Sequence, residues 1–226
     1  MEGDKHETAI VVRSGNGGLR NKTVNLPAFR ATQDRAADYV PHLTPADVGL
    51  MVTAAGKQKR HGERNAALIG VIFDGALRVS EALGLRPADV EVTPDGHVVN
   101  VMGKGSKAGQ VAITAETANK LIALAYHQGT LSNDRLFGIS RSQAFRVIED
   151  AYQRAGVRQP SRATDHVGAV HALRHSGALA RLAASGNPKS VQHQLRHKSA
   201  QMTLRYMKTL SADESLKIQQ GVNPWR

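Results

Sequence analysis

The chain has 226 residues, enough for one domain with an added arm, and carries 30 Lys and Arg against 19 Asp and Glu, a formal charge of +11. So basic a balance favours a polyanionic partner, nucleic acid or an anionic membrane surface, yet no apolar run approaches the roughly 18 residues of a membrane span. Glu2, Asp4 and Glu7 argue against a signal peptide at the start, and the lack of cysteine excludes disulfides, thiolate metal sites and cysteine nucleophiles. With 4% aromatic residues, base stacking along a single strand is a poor fit, and duplex nucleic acid is the expected partner.

Residues 1–42 hold six basic and five acidic residues, so almost all the excess charge lies downstream, in residues 43–226. Ala9 to Leu26 reads as two β-prone runs around Gly15-Asn16-Gly17-Gly18, a hairpin signal, and the polar stretch after Pro27 reads as a linker with room for one helical turn. An ordinary flexible arm is the competing reading. The compact domain is expected over residues 43–210. Thr44 as N-cap, Pro45 at the first helical position and Asp47 in the first turn start its first helix. A second helix is expected over 62–74, with Ala67, Leu68, Val71 and Ile72 at helical spacing, and Gly75 breaks it. Ser80 can cap the next short helix, which leaves Arg78 on the connecting turn between apolar Leu77 and Val79. An arginine there needs either an acid such as Glu81 or a ligand anion.

Residues 98–102 and 110–113 predict a β-hairpin whose glycine-rich tip, 103–109, carries Lys104 and Lys107. The tip lacks Walker A spacing, and a solvated turn is as good a reading as a phosphate contact. Helices are expected over 115–127 and 141–156, the latter opened by a Ser140/Gln143 capping box, and a polar loop over 157–168. Tyr126 and Tyr152 fall in these helices as packing residues, and Tyr39 falls in the arm. The fold class is α+β, mostly helical, with one small antiparallel sheet.

From His171 to Tyr206 the chain reads as three short helices dense in polar side chains: His171, Arg174, His175, His193, Arg196, His197 and Tyr206. Gly186 ends the first and Asn187-Pro188 starts the second. Helical spacing puts His171 and Arg174 on one face. The His pairs 171/175 and 193/197 raise a metal site, but the stretch has no acid or cysteine and its arginines would repel a cation. Arginine and histidine without acids suit an anion.

These motifs together resemble the catalytic domain of the tyrosine recombinases, the phage-type integrases. Gly75-Ala76-Leu77-Arg78-Val79-Ser80-Glu81-Ala82-Leu83-Gly84-Leu85 is similar to the family's first arginine motif, and Lys104 follows 26 residues later, where the family carries its hairpin lysine. His171-Ala172-Leu173-Arg174-His175 matches the H-x-L-R-H box, Leu195-Arg196-His197 the L-G-H box, and Tyr206 follows nine residues on. Two features depart from the pattern. Arg196 stands where the family has glycine, which alters the turn before His197 or adds a phosphate contact. The family's N-terminal DNA-clamping domain has no counterpart, so the chain is a short enzyme, a fragment or a remnant. The arm's Val11–Pro27 segment also resembles the lysine hairpin, but it precedes Arg78 and is read as a relic.

The resemblance implies a site-specific recombinase of duplex DNA in which Tyr206 attacks a phosphodiester to form a 3′-phosphotyrosyl link. Arg78 and Arg174 would clamp the phosphate with their planar forks. His171 would act as base or orienting group, His197 as a phosphate donor, and Lys104 as the acid for the departing 5′-oxygen. Lys107 and Arg196 would contact DNA. His175 is read as a helix or core contact, and Glu81 as a support for the Arg78 turn. No metal or other cofactor is implied. The expected assembly is a homo-oligomer on DNA, a dimer per site and a tetramer in synapsis, in the bacterial cytoplasm with no membrane, on a mobile element. Residues 211–226 are expected to form a helix, capped by Ser211 and Glu214, that docks on a neighbouring subunit. Two other readings remain: DNA relaxation of the type IB topoisomerase kind, and a non-catalytic DNA-binding regulator.

Overall fold

The computed structural model describes residues 10–13, 19–22, 40–102, 108–160, 168–197, 199–210 and 218–221. The chain divides into two compact units, residues 1–37 and 38–226. In the first, β1 (Ile10–Arg13) and β2 (Leu19–Lys22) pair antiparallel with Arg13 opposite Leu19, so the strands of the expected arm hairpin form. Its turn, the linker and Tyr39 lie outside the described residues, as do Lys104, Lys107 and the Ser211/Glu214 cap.

The second unit carries the helices. Thr44 and Asp47 close a capping box around Pro45 and start α1 (Pro45–Gly56), and α2 (Gly62–Asp74) comes next. The short α3 (Val79–Gly84) begins two residues earlier than a Ser80 cap requires. Arg78 is its N-cap residue, and the Glu81 carboxylate at N3 reaches back to accept the Arg78 backbone N–H at 2.8 Å. A three-stranded antiparallel sheet is built from β3 (Val90–Thr93), β4 (Gly96–Met102) and β5 (Ala108–Ile113), in the order β3-β4-β5. The expected hairpin is β4–β5. Strand β3 is an addition that the sequence reading omitted. It turns back through Pro94-Asp95, and Gly96 takes the positive φ of 136° that the tight connection requires.

Four further capped helices extend the domain: α4 (Ala115–Gln128), α5 (Arg141–Ala155), α6 (Ala169–Ser185) and α7 (Pro188–Leu195). Another, α8 (Ala200–Thr209), starts at a Ser199 cap. Tyr152 packs as expected, buried with its hydroxyl donating to the Ala169 carbonyl at 3.2 Å. Tyr126 does not: it is 84% exposed, because the buried face of α4 is formed by Ala118, Leu121, Leu124 and Ala125.

The apolar residues form two clusters. The larger joins α1, α2, α4 and α5 to the inner face of β4 and β5. The smaller consists of Val40, Ala76, Ala178, Leu179, Leu182, Val191, Leu195 and Tyr206, with Leu210 against it. The two meet where α6 crosses the α2–α3 turn. A Cβ on Gly177 would run into the Phe73 backbone carbonyl, so only glycine lets α6 close on that turn.

Candidate active site

The turn from α2 to α3 is built to aim backbone and side chain at one point. Ala76 takes a positive φ of 47°, which directs its carbonyl at Arg174 on α6, and Nη1 of Arg174 donates to it at 2.5 Å. Nη2 of Arg174 donates to the Leu195 carbonyl at the end of α7 at 3.1 Å. Arg174 is only 6% exposed, so one guanidinium ties the α2–α3 turn, α6 and α7 together. Just beyond Ala76, Arg78 enters at the α3 cap with its side chain 43% exposed.

A single carboxylate organises these charges. Glu81 is 4% exposed and faces three guanidiniums: Arg78 at 2.8 Å, Arg174 at 3.6 Å and Arg196 at 2.5 Å. Burial by itself would raise the Glu81 carboxyl, but its arginine neighbours, with the Arg78 backbone N–H, hold it below the usual carboxylate range. The Arg196 contact is an ion pair by distance only. Its N–H bonds do not line up with the oxygen, and both Nη atoms are buried without a hydrogen-bond partner. Of the two partners the sequence posed for Arg78, the acid is the one found: Arg78 pairs with Glu81, and it also lines a pocket of about 210 Å³ with His171, Arg174 and Arg141.

The histidines surround the tyrosine. Nδ1 of His175 lies 2.8 Å from the Tyr206 hydroxyl, a hydrogen bond whose direction is set by the imidazole tautomer. The His171 ring stacks behind His175 at 6.3 Å, and the His197 ring lies parallel to Tyr206 at 6.1 Å with 9° between planes. His197 is held by the Thr203 hydroxyl at 3.0 Å from its Nδ1. Burial, with Arg174 and Arg78 adding, lowers the His197 pKa to about 4, and burial with Arg174, Arg141 and Arg78 lowers that of His171. Both are biased to the neutral form. Tyr206 is 4% exposed, and burial raises its hydroxyl pKa while Arg174, Arg205 and Arg78 pull the other way.

The structure thus brings Arg78, His171, Arg174, His197 and Tyr206 into one neighbourhood from separate helices and turns. Lys104 and Lys107 fall outside the described residues, and His193 is exposed. His175 and Thr203 are contacts that sequence reasoning did not assign to the site. Spacing was their signal: Thr203 and Tyr206, three apart, are the two buried positions of α8, and His175 lies one turn beyond His171. Chemically the arrangement offers planar cationic donors, neutral imidazoles and one oxygen nucleophile, a set suited to holding a phosphodiester. Among the described residues no three His, Asp or Glu side chains are grouped to hold a metal ion.

Comparisons with known proteins bear on the family and the fold. The XerC tyrosine recombinase of Myxococcus xanthus is 31% identical over 157 residues, covering 64% of this chain and 50% of that protein. The XerD tyrosine recombinase of Corynebacterium glutamicum is 29% identical over 200 residues, 83% of this chain and 58% of that one. The chain spans about half the length of the curated relatives it matches. Among solved structures, XerH recombinase bound to its difH substrate superposes with a TM-score of 0.64 at 23% identity, over 83% of this chain and 55% of that one. The catalytic domain of bacteriophage HP1 integrase gives 0.57 at 21% identity, over 82% and 98%. The phage integrase family model matches residues 41–212, and the chain belongs to that family of tyrosine recombinases.

Proposed function

We propose that the chain breaks and rejoins duplex DNA as a site-specific recombinase, with Tyr206 as nucleophile. The observation that carries this reading is the Tyr206 hydroxyl set against His175 and beside His197, within the field of Arg174 and Arg78. The Tyr206 oxygen attacks the scissile phosphorus, a P–O bond to the tyrosine forms, and the P–O5′ bond breaks. The phenolic proton leaves through the imidazole nearest to it, His175, which His171 orients by stacking. Lys104 supplies a proton to the departing 5′-oxygen. Arg78, Arg174 and His197 hold the non-bridging oxygens, where preorganised donors are each worth about 3 kcal/mol or more. Lys107 contributes positive charge toward the DNA backbone, whereas the Arg196 guanidinium, expected from the sequence to contact DNA, is turned inward and buried against Glu81. A 5′-hydroxyl from a second strand reverses the step, so neither metal nor nucleotide is consumed.

The working form on this reading is a dimer per site and a tetramer in synapsis, in the bacterial cytoplasm. No described helix is long and apolar enough to cross a membrane. The test is covalent capture. A randomised library of nicked duplexes is incubated with wild type and Tyr206→Phe, and denaturant-resistant protein–DNA adducts are recovered and sequenced. Wild type should yield adducts on a defined sequence and Tyr206→Phe none. Adducts without sequence preference, with relaxation of a plasmid, would favour a topoisomerase, and no adduct at all would favour a DNA-binding regulator.

A further inference from the structure

Arg196 stands against the local preference of the backbone. It caps α7 with a φ of 53°, in the left-handed region that favours glycine, and both of its Nη atoms are buried without hydrogen-bond partners. Glycine here would remove the backbone strain and the orphaned donors at once. Two features accommodate the side chain instead. Glu81 lies 2.5 Å from Nη2, and Gly109 on β5 leaves a notch for the stem: a Cβ on Gly109 would sit 2.7 Å from Cδ of Arg196. The same strand edge is fastened to α7 by Gln194, whose amide accepts from the Ala112 N–H at 3.1 Å and donates to its carbonyl at 2.8 Å. Arg196 therefore runs past a glycine on a fixed strand to the buried acid that also faces Arg78 and Arg174.

We infer that Arg196 is a positioning residue for phosphate attack, matched to Gly109, and that it acts through Glu81 on the two clamping arginines. This rests on the recombinase reading above. Without Arg196, the full charge of Glu81 falls on Arg78 and Arg174, which draws their donors inward and away from a phosphate. With it, Glu81 is shared among three cations, Arg174 keeps its bonds to the Ala76 and Leu195 carbonyls, and the half-exposed Arg78 keeps its outward donors. The backbone makes Arg196→Gly a clean variant, because glycine fits φ 53° better than arginine does.

The experiment measures single-turnover adduct formation and DNA affinity on a nicked duplex recovered from the library, for wild type, Arg196→Gly, Arg196→Lys, Gly109→Ala and the double variant Arg196→Gly/Gly109→Ala. Arg196→Gly should slow adduct formation about tenfold, the scale of one charge-assisted contact, with affinity within about twofold and a thermal midpoint no lower than wild type. A merely structural arginine would instead lower the midpoint and leave the rate. Arg196→Lys should recover part of the rate. Gly109→Ala should slow wild type by a similar factor but have no further effect in the Arg196→Gly background. Wild-type rates for Arg196→Gly, a loss wholly in DNA affinity, or multiplicative losses in the double variant would overturn the inference alone. A wild type that forms no adduct would overturn the recombinase reading and the positioning role with it.

Discussion

Replacing Glu81 with glutamine tests the charge arrangement without changing shape. The side chain is 2% exposed, and the three cations around it differ in burial: Arg78 is 43% exposed, Arg196 19% and Arg174 7%. The Arg78 pair is largely solvent-screened and contributes little. Arg174 and Arg196 matter most, since glutamine would leave two enclosed guanidiniums without this anion. Removing one partner of such a group costs about 3–5 kcal/mol. At a urea slope of about 2 kcal/mol/M, even the lower figure moves the unfolding midpoint by about 1.5 M. Equilibrium urea unfolding followed by circular dichroism at neutral pH is the assay, with the slope checked for constancy. Acid should do the same work in wild type. The Glu81 carboxyl is held below its ordinary value of 4.5, so its contribution is present above that pH and is lost as pH falls through the folded value. A midpoint shift below about 0.5 M with an unchanged slope would refute the view that Glu81 offsets buried positive charge.

His197 should make the fold acid-sensitive. Its folded pKa of about 4 lies below the ordinary 6.5, so its stabilisation is complete above 6.5 and is lost as pH falls toward 4, by an amount that solvent screening of the half-buried ring reduces. His197→Gln should flatten that part of the stability profile, and an unchanged profile would count against a neutral buried imidazole. Gly177→Ala should cost about 3 kcal/mol in urea unfolding because the added methyl meets the fixed Phe73 carbonyl. A loss below about 1 kcal/mol would mean that α6 can shift freely. Amide hydrogens of α8 should exchange faster than those of α2 and α5, since α8 rests on the smaller apolar cluster; equal protection would refute the separation of the two clusters.

The helices were legible because their ends carry their own chemistry. Thr44, Ser140 and Asn187 cap as their types require, and Gly129, Gly156 and Gly186 close helices at positive φ. Strand β3 was not, since four residues with two exposed side chains give little alternation to read. The Ser80 cap failed for a tertiary reason: Glu81 is drawn to that turn by Arg174 and Arg196, which are 93 and 115 residues away in sequence. The family resemblance, carried by the order and spacing of the motifs, supplied Arg78, His171, Arg174, His197 and Tyr206 as candidates. No local pattern could show that one glutamate faces three arginines, or that the tyrosine hydroxyl meets His175 and not His171.

The burial of Tyr206 gives those contacts a physical consequence. A phenol that is 4% exposed, with its pKa raised by burial, is a poor nucleophile where it stands. Arg174, Arg205 and Arg78 counter that rise without removing it, because burial outweighs them. Bringing a phosphate to Arg78 and Arg174 adds an anion, which by charge alone makes tyrosinate less favourable still. On the recombinase reading, activation therefore comes from proton transfer along the existing hydrogen bond to His175, or from the ring leaving its cluster. Tyr206 is anchored by the smaller cluster and by the Thr209 hydroxyl, which accepts the Val40 N–H at 3.0 Å, so moving α8 leaves the main core intact. The same motion would free His197 as well, because Thr203, which holds it, lies on α8. Reactivity and placement are thus coupled through one short helix, and the histidine that shares its hydrogen bond with the tyrosine is the group best sited to set the balance.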